Sequence, residues 1–152
     1  MISEFVFGQD TIVTKERYLL GSTVLTGSNR NSESCILHGY CLDKIIKHPC
    51  LSVMTETPDF TKIKNVEKRN DTLIVSLQIY ENCALDFLGE IEIINKNTLN
   101  IIFHEYGSFA SCMCTFDIDC IVLIKKEDIS EPVNIEYVTI DNKDEIKMKI
   151  KK

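Results

Sequence analysis

The sequence predicts an all-β fold: an antiparallel β-sandwich of about nine or ten strands, with a lipocalin-like up-and-down barrel as the alternative. Three observations carry that expectation. Apolar and polar residues alternate with a period of two through most of the second half of the chain. Turn-forming clusters of Gly, Asn, Asp, Ser and Pro recur at the regular spacing of sandwiches and barrels. No stretch offers a convincing long amphipathic helix.

The first half gives the weaker signals. Phe5, Phe7 and Ile12 suggest one or two edge strands around Gly8, and Tyr18 to Leu25 is apolar with β-branched members. Gly27 to Ser34 reads as a polar loop. Residues 35–46 fit a strand or a short helix, because Ile36, Tyr40, Asp43 and Lys47 also recur at helical spacing. Leu51 to Thr55 reads as a strand closed by Pro58.

The second half is clearer. After the polar turn Lys68-Arg69-Asn70-Asp71, Leu73, Val75, Leu77 and Ile79 alternate with Ile74, Ser76, Gln78 and Tyr80. Phe87 to Ile94 places Glu90 and Glu92 opposite Ile91 and Ile93. Asn95-Lys96-Asn97 then turns the chain, and Leu99, Ile101 and Phe103 point inward on the way back; this is the clearest hairpin. Gly107 and Ser108 break the pattern. Phe116, Ile118, Cys120, Val122 and Ile124 share one face of a long strand, with Thr115, Asp117 and Asp119 on the other. Pro132 precedes a strand from Ile135 to Ile140, Asp141-Asn142-Lys143-Asp144 makes the last turn, and residues 145–151 form the last strand.

The chain has 152 residues, 44% hydrophobic and 26% charged, which suits one soluble globular domain over 1–152 with its own core. No linker, composition shift or internal repeat divides it. No run approaches the roughly 18 apolar residues of a membrane span. Lys and Arg number 17 against 23 Asp and Glu, a net charge of −6, so no nucleic-acid partner is expected. Lys147, Lys149, Lys151 and Lys152 read as a solvated strand face. Met1-Ile2-Ser3-Glu4-Phe5 has neither a basic start nor a long apolar run, so it is not a signal peptide. Either the protein is cytoplasmic, or a signal has been trimmed ahead of Met1 and the protein belongs to the periplasm or cell surface.

Seven cysteines bear on that choice: Cys35, Cys41, Cys50, Cys83, Cys112, Cys114 and Cys120. The density is high for a cytosolic protein, and the odd count leaves at least one thiol unpaired in a monomer. Cys83 ends one expected strand and Cys112-Met113-Cys114 begins another, so a disulfide from Cys83 to Cys112 or Cys114 is expected. Cys41 and Cys50 enclose eight residues including Pro49, a spacing that would also close by a disulfide. Cys120 lies on the apolar face as a small buried hydrophobe. Two thiolates at Cys112 and Cys114, with Cys83 or His104, would suit a soft metal, but no Cys-x-x-Cys knuckle is present and no metal or cofactor is expected.

No local signature of catalysis is present: no Gly-x-Ser-x-Gly, no His-Glu-x-x-His and no phosphate loop. His38, His48 and His104 read as structural, and Glu90 with Glu92 and Asp117 with Asp119 read as solubilising pairs on outer strand faces, open to a basic partner. Asn70-Asp71-Thr72 matches a glycosylation sequon by chance.

The segments Asn82-Cys83, Phe87-Leu88-Gly89-Glu90-Ile91, Asn97-Thr98-Leu99-Asn100, His104-Glu105-Tyr106-Gly107 and Cys112-Met113-Cys114 together give a pattern over residues 70–125. It resembles small cysteine-containing domains of Bacteroidetes-type bacteria, uncharacterised proteins often described as lipoproteins. The chain departs from their exported members in having no signal sequence and no lipobox cysteine near Met1. The resemblance implies export and carries over no catalytic residue. The expected function is therefore non-enzymatic: a binding or protein-interaction domain, exported if a signal has been trimmed, whose partner is a protein or small ligand. Two alternatives stand beside it. One is a carrier of a small apolar ligand inside a lipocalin-type barrel, and the other is a cytosolic acidic inhibitor or immunity-type protein with reduced cysteines.

Overall fold

The period-two segments assemble into two sheets. The computed structural model describes residues 22–54 and 61–151. The expectations for Phe5, Phe7, Ile12, the start of the Tyr18–Leu25 run and Pro58 lie outside those residues. In chain order the elements are β1 (Ser22–Val24), α1 (Asn29–His38), β2 (Tyr40–Lys47), β3 (Ser52–Met54), β4 (Lys62–Arg69), β5 (Thr72–Asn82), β6 (Leu85–Ile94), β7 (Thr98–Gly107), β8 (Met113–Ile124), β9 (Tyr137–Ile140) and β10 (Met148–Lys149). Sheet A has the order β1-β6-β7-β9-β10. Sheet B has the order β2-β8-β5-β4, with β3 also on β8.

The alternation explains the core. Leu73, Val75, Leu77 and Ile79 of β5 and Phe116, Ile118, Cys120 and Val122 of β8 are buried on one face. They form one cluster with Phe87, Ile91, Leu99, Ile101, Val138 and Ile140 of sheet A. The expected hairpin is present as β6–β7, with Ile91 opposite Ile101 and Ile94 opposite Thr98. Asn70 and Asp71 form the β4–β5 turn, where Asn70 takes a left-handed φ of 52°.

Four expectations need correction. Among the described residues neither sheet closes on itself, so the barrel alternative fails. Sheet A is mixed, not antiparallel: β1 pairs β6 and β7 pairs β9 in parallel. The reason is connection length, since β7 reaches β9 only through β8 in the other sheet, and such a crossover lets the chain re-enter in the same direction. The strands are also fewer in substance than expected: among the described residues β1, β3 and β10 have three residues or fewer, so seven strands of four residues or more carry the sheets. The strand expected over 145–151 is a 3-10 turn at Asp144–Ile146 followed by the two residues of β10. There the Ile146 and Lys147 amides bond locally to the Lys143 and Asp144 carbonyls.

The helix α1 replaces the loop expected over Gly27–Ser34 and the first part of the ambiguous stretch after it. Its ends are set by caps. The Ser28 hydroxyl oxygen accepts the Asn31 amide at 3.2 Å. Gly39 takes the left-handed φ of 81° that only glycine adopts cheaply, and its amide donates to the Ser34 carbonyl. Only Ser34 of the helix is buried, which is why no apolar period announced it. The helix sits at the edge of the two sheets, against β6 and β2. Its Asn31 side chain continues the ladder that β1 abandons. Nδ2 donates to the Leu25 and Gly89 carbonyls at 3.0 and 3.3 Å, and Oδ1 accepts the Ile91 amide at 2.7 Å.

Two stability predictions arise here. Ser34 is 1% exposed, and among the described residues its hydroxyl has no hydrogen-bond partner. Ser34→Ala removes an unsatisfied buried group and improves helix propensity, so chemical denaturation should show a gain of about 1 kcal/mol. Gly89 of sheet A lies close against β2 of sheet B. A Cβ there would lie 1.9 Å from Ile45 Cδ1 and 3.6 Å from Leu42 Cδ2. Ile45 is itself buried in the core, so Gly89→Ala forces repacking and should cost about 1–3 kcal/mol in the same assay. Beside this contact, Lys47 crosses from sheet B to sheet A. Its Nζ donates to the Leu85 carbonyl at 2.8 Å and to Asp86 at 2.7 Å, and it lies 4.2 Å from the centre of the Phe116 ring.

Candidate functional site

Strand alternation sends Asp117 and Asp119 out of the face of sheet B opposite the core. Their cross-strand partners on β5 are Gln78 and Ser76. Ser76 donates to Asp119 Oδ1 at 2.6 Å, and Gln78 Nε2 donates to Asp117 Oδ1 at 3.3 Å. From the edge strand β4, Lys64 Nζ reaches both Asp117 oxygens at 3.0 Å. His48 Nε2 lies 2.7 Å from Asp119 Oδ2.

A bulge delivers His48. β2 ends with Lys47 opposite Ile118 and β3 begins with Ser52 opposite Thr115. His48, Pro49, Cys50 and Leu51 thus stand against Phe116 and Asp117 alone. Pro49 has no amide to give the ladder, while His48 and Leu51 donate theirs to the Asp117 and Thr115 carbonyls at 2.9 Å. The bulge turns His48 to the outer face and Cys50 toward the buried Cys114. The result is a shallow recess of about 190 Å³ lined by His48, Lys64, Ser76, Leu77, Asp117 and Asp119. Partial burial alone would raise the Asp119 carboxyl. The bonds from Ser76 and His48 and the nearby Lys64 charge outweigh it and hold the group below the usual carboxylate range.

A second cluster lies on sheet A and overturns the solvated reading of Glu90, which is only 5% exposed. Its carboxylate accepts the Ser28 hydroxyl, Arg30 Nη1 at 2.9 Å and a contact from His104 Nε2 at 2.7 Å. Arg30 also meets Glu92 at 3.3 Å, and Asn100 Nδ2 donates to Glu92 at 2.9 Å. Burial would raise the Glu90 carboxyl, but the three partners together bring it below its ordinary value. This cluster fastens the start of α1 to the sheet. Both clusters hold a hydroxyl, an imidazole and a carboxylate, yet in each the carboxylate sits between the other two. A triad that activates a hydroxyl needs the imidazole in the middle. Here both groups are spent on orienting the carboxylate.

The cysteines form three bridges among the described residues. Cys83 pairs with Cys112, one of the two partners expected for it, with Cα atoms 5.6 Å apart. Cys114 pairs with Cys50 at 5.8 Å and Cys41 with Cys35 at 4.3 Å. The expected Cys41–Cys50 bridge is therefore wrong. Cys41 and Cys50 lie at opposite ends of β2, and an extended strand of that length separates them by roughly 20 Å or more, far beyond disulfide reach. Nothing in the apolar pattern singles out Cys35 as the partner of Cys41, because α1 buries only Ser34. The chain reverses at Gly39 and brings Cys35 back beside Cys41. Cys112 and Cys114 are thus engaged in separate bridges, flanking the start of β8 on both sides. Cys120 is free and fully buried, and burial pushes its thiol pKa far up.

Among the described residues no three His, Cys, Asp or Glu side chains converge as a metal-holding group, and no helix is long and apolar enough to cross a membrane. No protein-family model matches the chain, and no curated protein or solved structure shows significant similarity to it.

Proposed function

We propose that the chain is a non-enzymatic binding domain that works in an oxidising, exported compartment, the periplasm or cell surface. One observation carries the reading: six of the seven cysteines are paired in three bridges, a usage that reducing cytoplasm does not sustain. The two-sheet architecture is sandwich-like, a scaffold that presents flat faces and loops rather than a deep catalytic cleft. The carrier alternative loses its premise without a barrel. The cytosolic inhibitor alternative calls for reduced thiols, against which the bridges weigh.

The test is a count of free thiols under denaturing, non-reducing conditions on protein made in an oxidising compartment, with intact mass and metal content on the same sample. One reactive thiol, released only on unfolding, is the expected result, because Cys120 is buried. Seven free thiols would overturn the exported reading in favour of a cytosolic interaction protein.

A further inference from the structure

The outer face of sheet B has a composition that selects for a class of ligand. Ser76, Gln78 and Tyr80 succeed one another on the same side of β5, and Thr115, Asp117 and Asp119 do so on β8. His48, from the bulge between β2 and β3, and Lys64 of β4 flank them on the two sides. The row is accessible: the His48 and Lys64 side chains are each 42% exposed and those of Asp117 and Asp119 27% and 30%.

Charge decides against ionic ligands. Lys64 is bound to Asp117 and His48 to Asp119, so neither of these two basic groups nor either carboxylate of the recess stands unpartnered for a simple ion. Hydrogen-bonding capacity remains on both sides of the ledger. A carboxylate has about four acceptor sites, of which Asp119 uses two for Ser76 and His48, and an ammonium has three donors, of which Lys64 spends two on Asp117. Gln78 uses one of its two amide hydrogens here. The result is a set of donors and acceptors, fixed by their mutual bonds, along a shallow recess. Partly exposed Tyr80 lies on the same face, about 7 Å along the strand from Gln78.

Vicinal hydroxyls, each both donor and acceptor, match such an array, and the apolar side of a pyranose ring matches an aromatic face. We propose that this face of sheet B binds a neutral oligosaccharide, with Gln78, Lys64, Asp117 and Asp119 bonding its hydroxyls and Tyr80 stacking on a ring. The proposal names the ligand of the binding domain inferred above and rests on that reading.

The test is affinity electrophoresis of the full, oxidised chain through gels containing mixed-linkage β-glucan, xylan, galactomannan or dextran, with polygalacturonate as the anionic comparison. Retardation by at least one neutral polysaccharide is expected. Gln78→Ala and Tyr80→Ala should each weaken it by about tenfold, the equivalent of roughly 1.4 kcal/mol, with circular dichroism and thiol count unchanged. No retardation by any of the four neutral polymers overturns the proposal. So does a preference for polygalacturonate, or variants that bind as well as the parent chain. A thiol count of seven alongside intact sugar binding would instead overturn only the oxidising compartment.

Discussion

Replacing Cys50 and Cys114 together with alanine should lower stability by about 4 kcal/mol, the largest loss expected from any pair of cysteines. The bridge joins positions 64 residues apart, and loop-closure entropy rises with that length. The Cys35–Cys41 bridge spans only 6 residues, so its removal should cost about half as much. For a domain of this size each kcal/mol shifts the melting temperature by roughly 2–4 °C, so the two double variants should be well separated in a calorimetric scan. Cys114 adds a local reason for a large effect. It is fully buried, and its partner Cys50 helps hold the three-residue β3 on the edge of β8. Equal losses for both pairs would show that loop length is not what the bridges act through.

The second large effect belongs to Glu90. Glu90→Ala leaves the buried Ser28 hydroxyl without its acceptor and strips Arg30 and His104 of their common partner. Arg30 and His104 are 50% and 45% exposed and regain water, which limits the loss to about 2–3 kcal/mol. The effect has a pH signature. The folded state holds the Glu90 carboxyl below its unfolded value of about 4.3. Its contribution is therefore complete above that value and is lost as pH falls through the lower, folded one. Urea titrations of parent and variant should accordingly diverge at pH 7 and converge in acid. A difference that stays constant from pH 7 down to pH 3 would mean that packing, not the ionised carboxylate, accounts for the loss.

These two sites differ in how far the sequence discloses them. The buried faces of β5 and β8 were legible because period-two alternation is a local property of the chain. A bridge from Cys83 to Cys112 or Cys114 followed from it, since these residues fall at the ends of recognisable strands, though alternation left the choice between the two partners open. Cys35–Cys41 did not, because α1 has almost no apolar face. Its signals are Ser28 and Gly39, single residues that a search for periodicity passes over. Glu90 and Glu92 alternate correctly with Ile91 and Ile93. Alternation says only which way a side chain points, however, not whether something lies over it. What covers Glu90 are Ser28 and Arg30, about sixty residues earlier in the chain. Asp119 illustrates the same limit. Its side was predicted, but His48 arrives through a bulge that Pro49 alone hints at.

The strand order also sets a schedule for synthesis. Tyr40 pairs with Ile124 and Ser22 with Phe87, so β1, β2 and β3 emerge long before the strands that receive them. Pairings so remote in sequence form slowly. During that interval Cys35, Cys41 and Cys50 are close neighbours on an open chain while Cys114 has yet to appear. Oxidation of Cys41 with Cys50 is then as accessible as the native Cys35–Cys41 bond. Maturation should therefore pass through a misbridged species whose resolution needs thiol–disulfide exchange. The yield of correctly folded protein should depend on the supply of a disulfide isomerase more than on the strength of the oxidant.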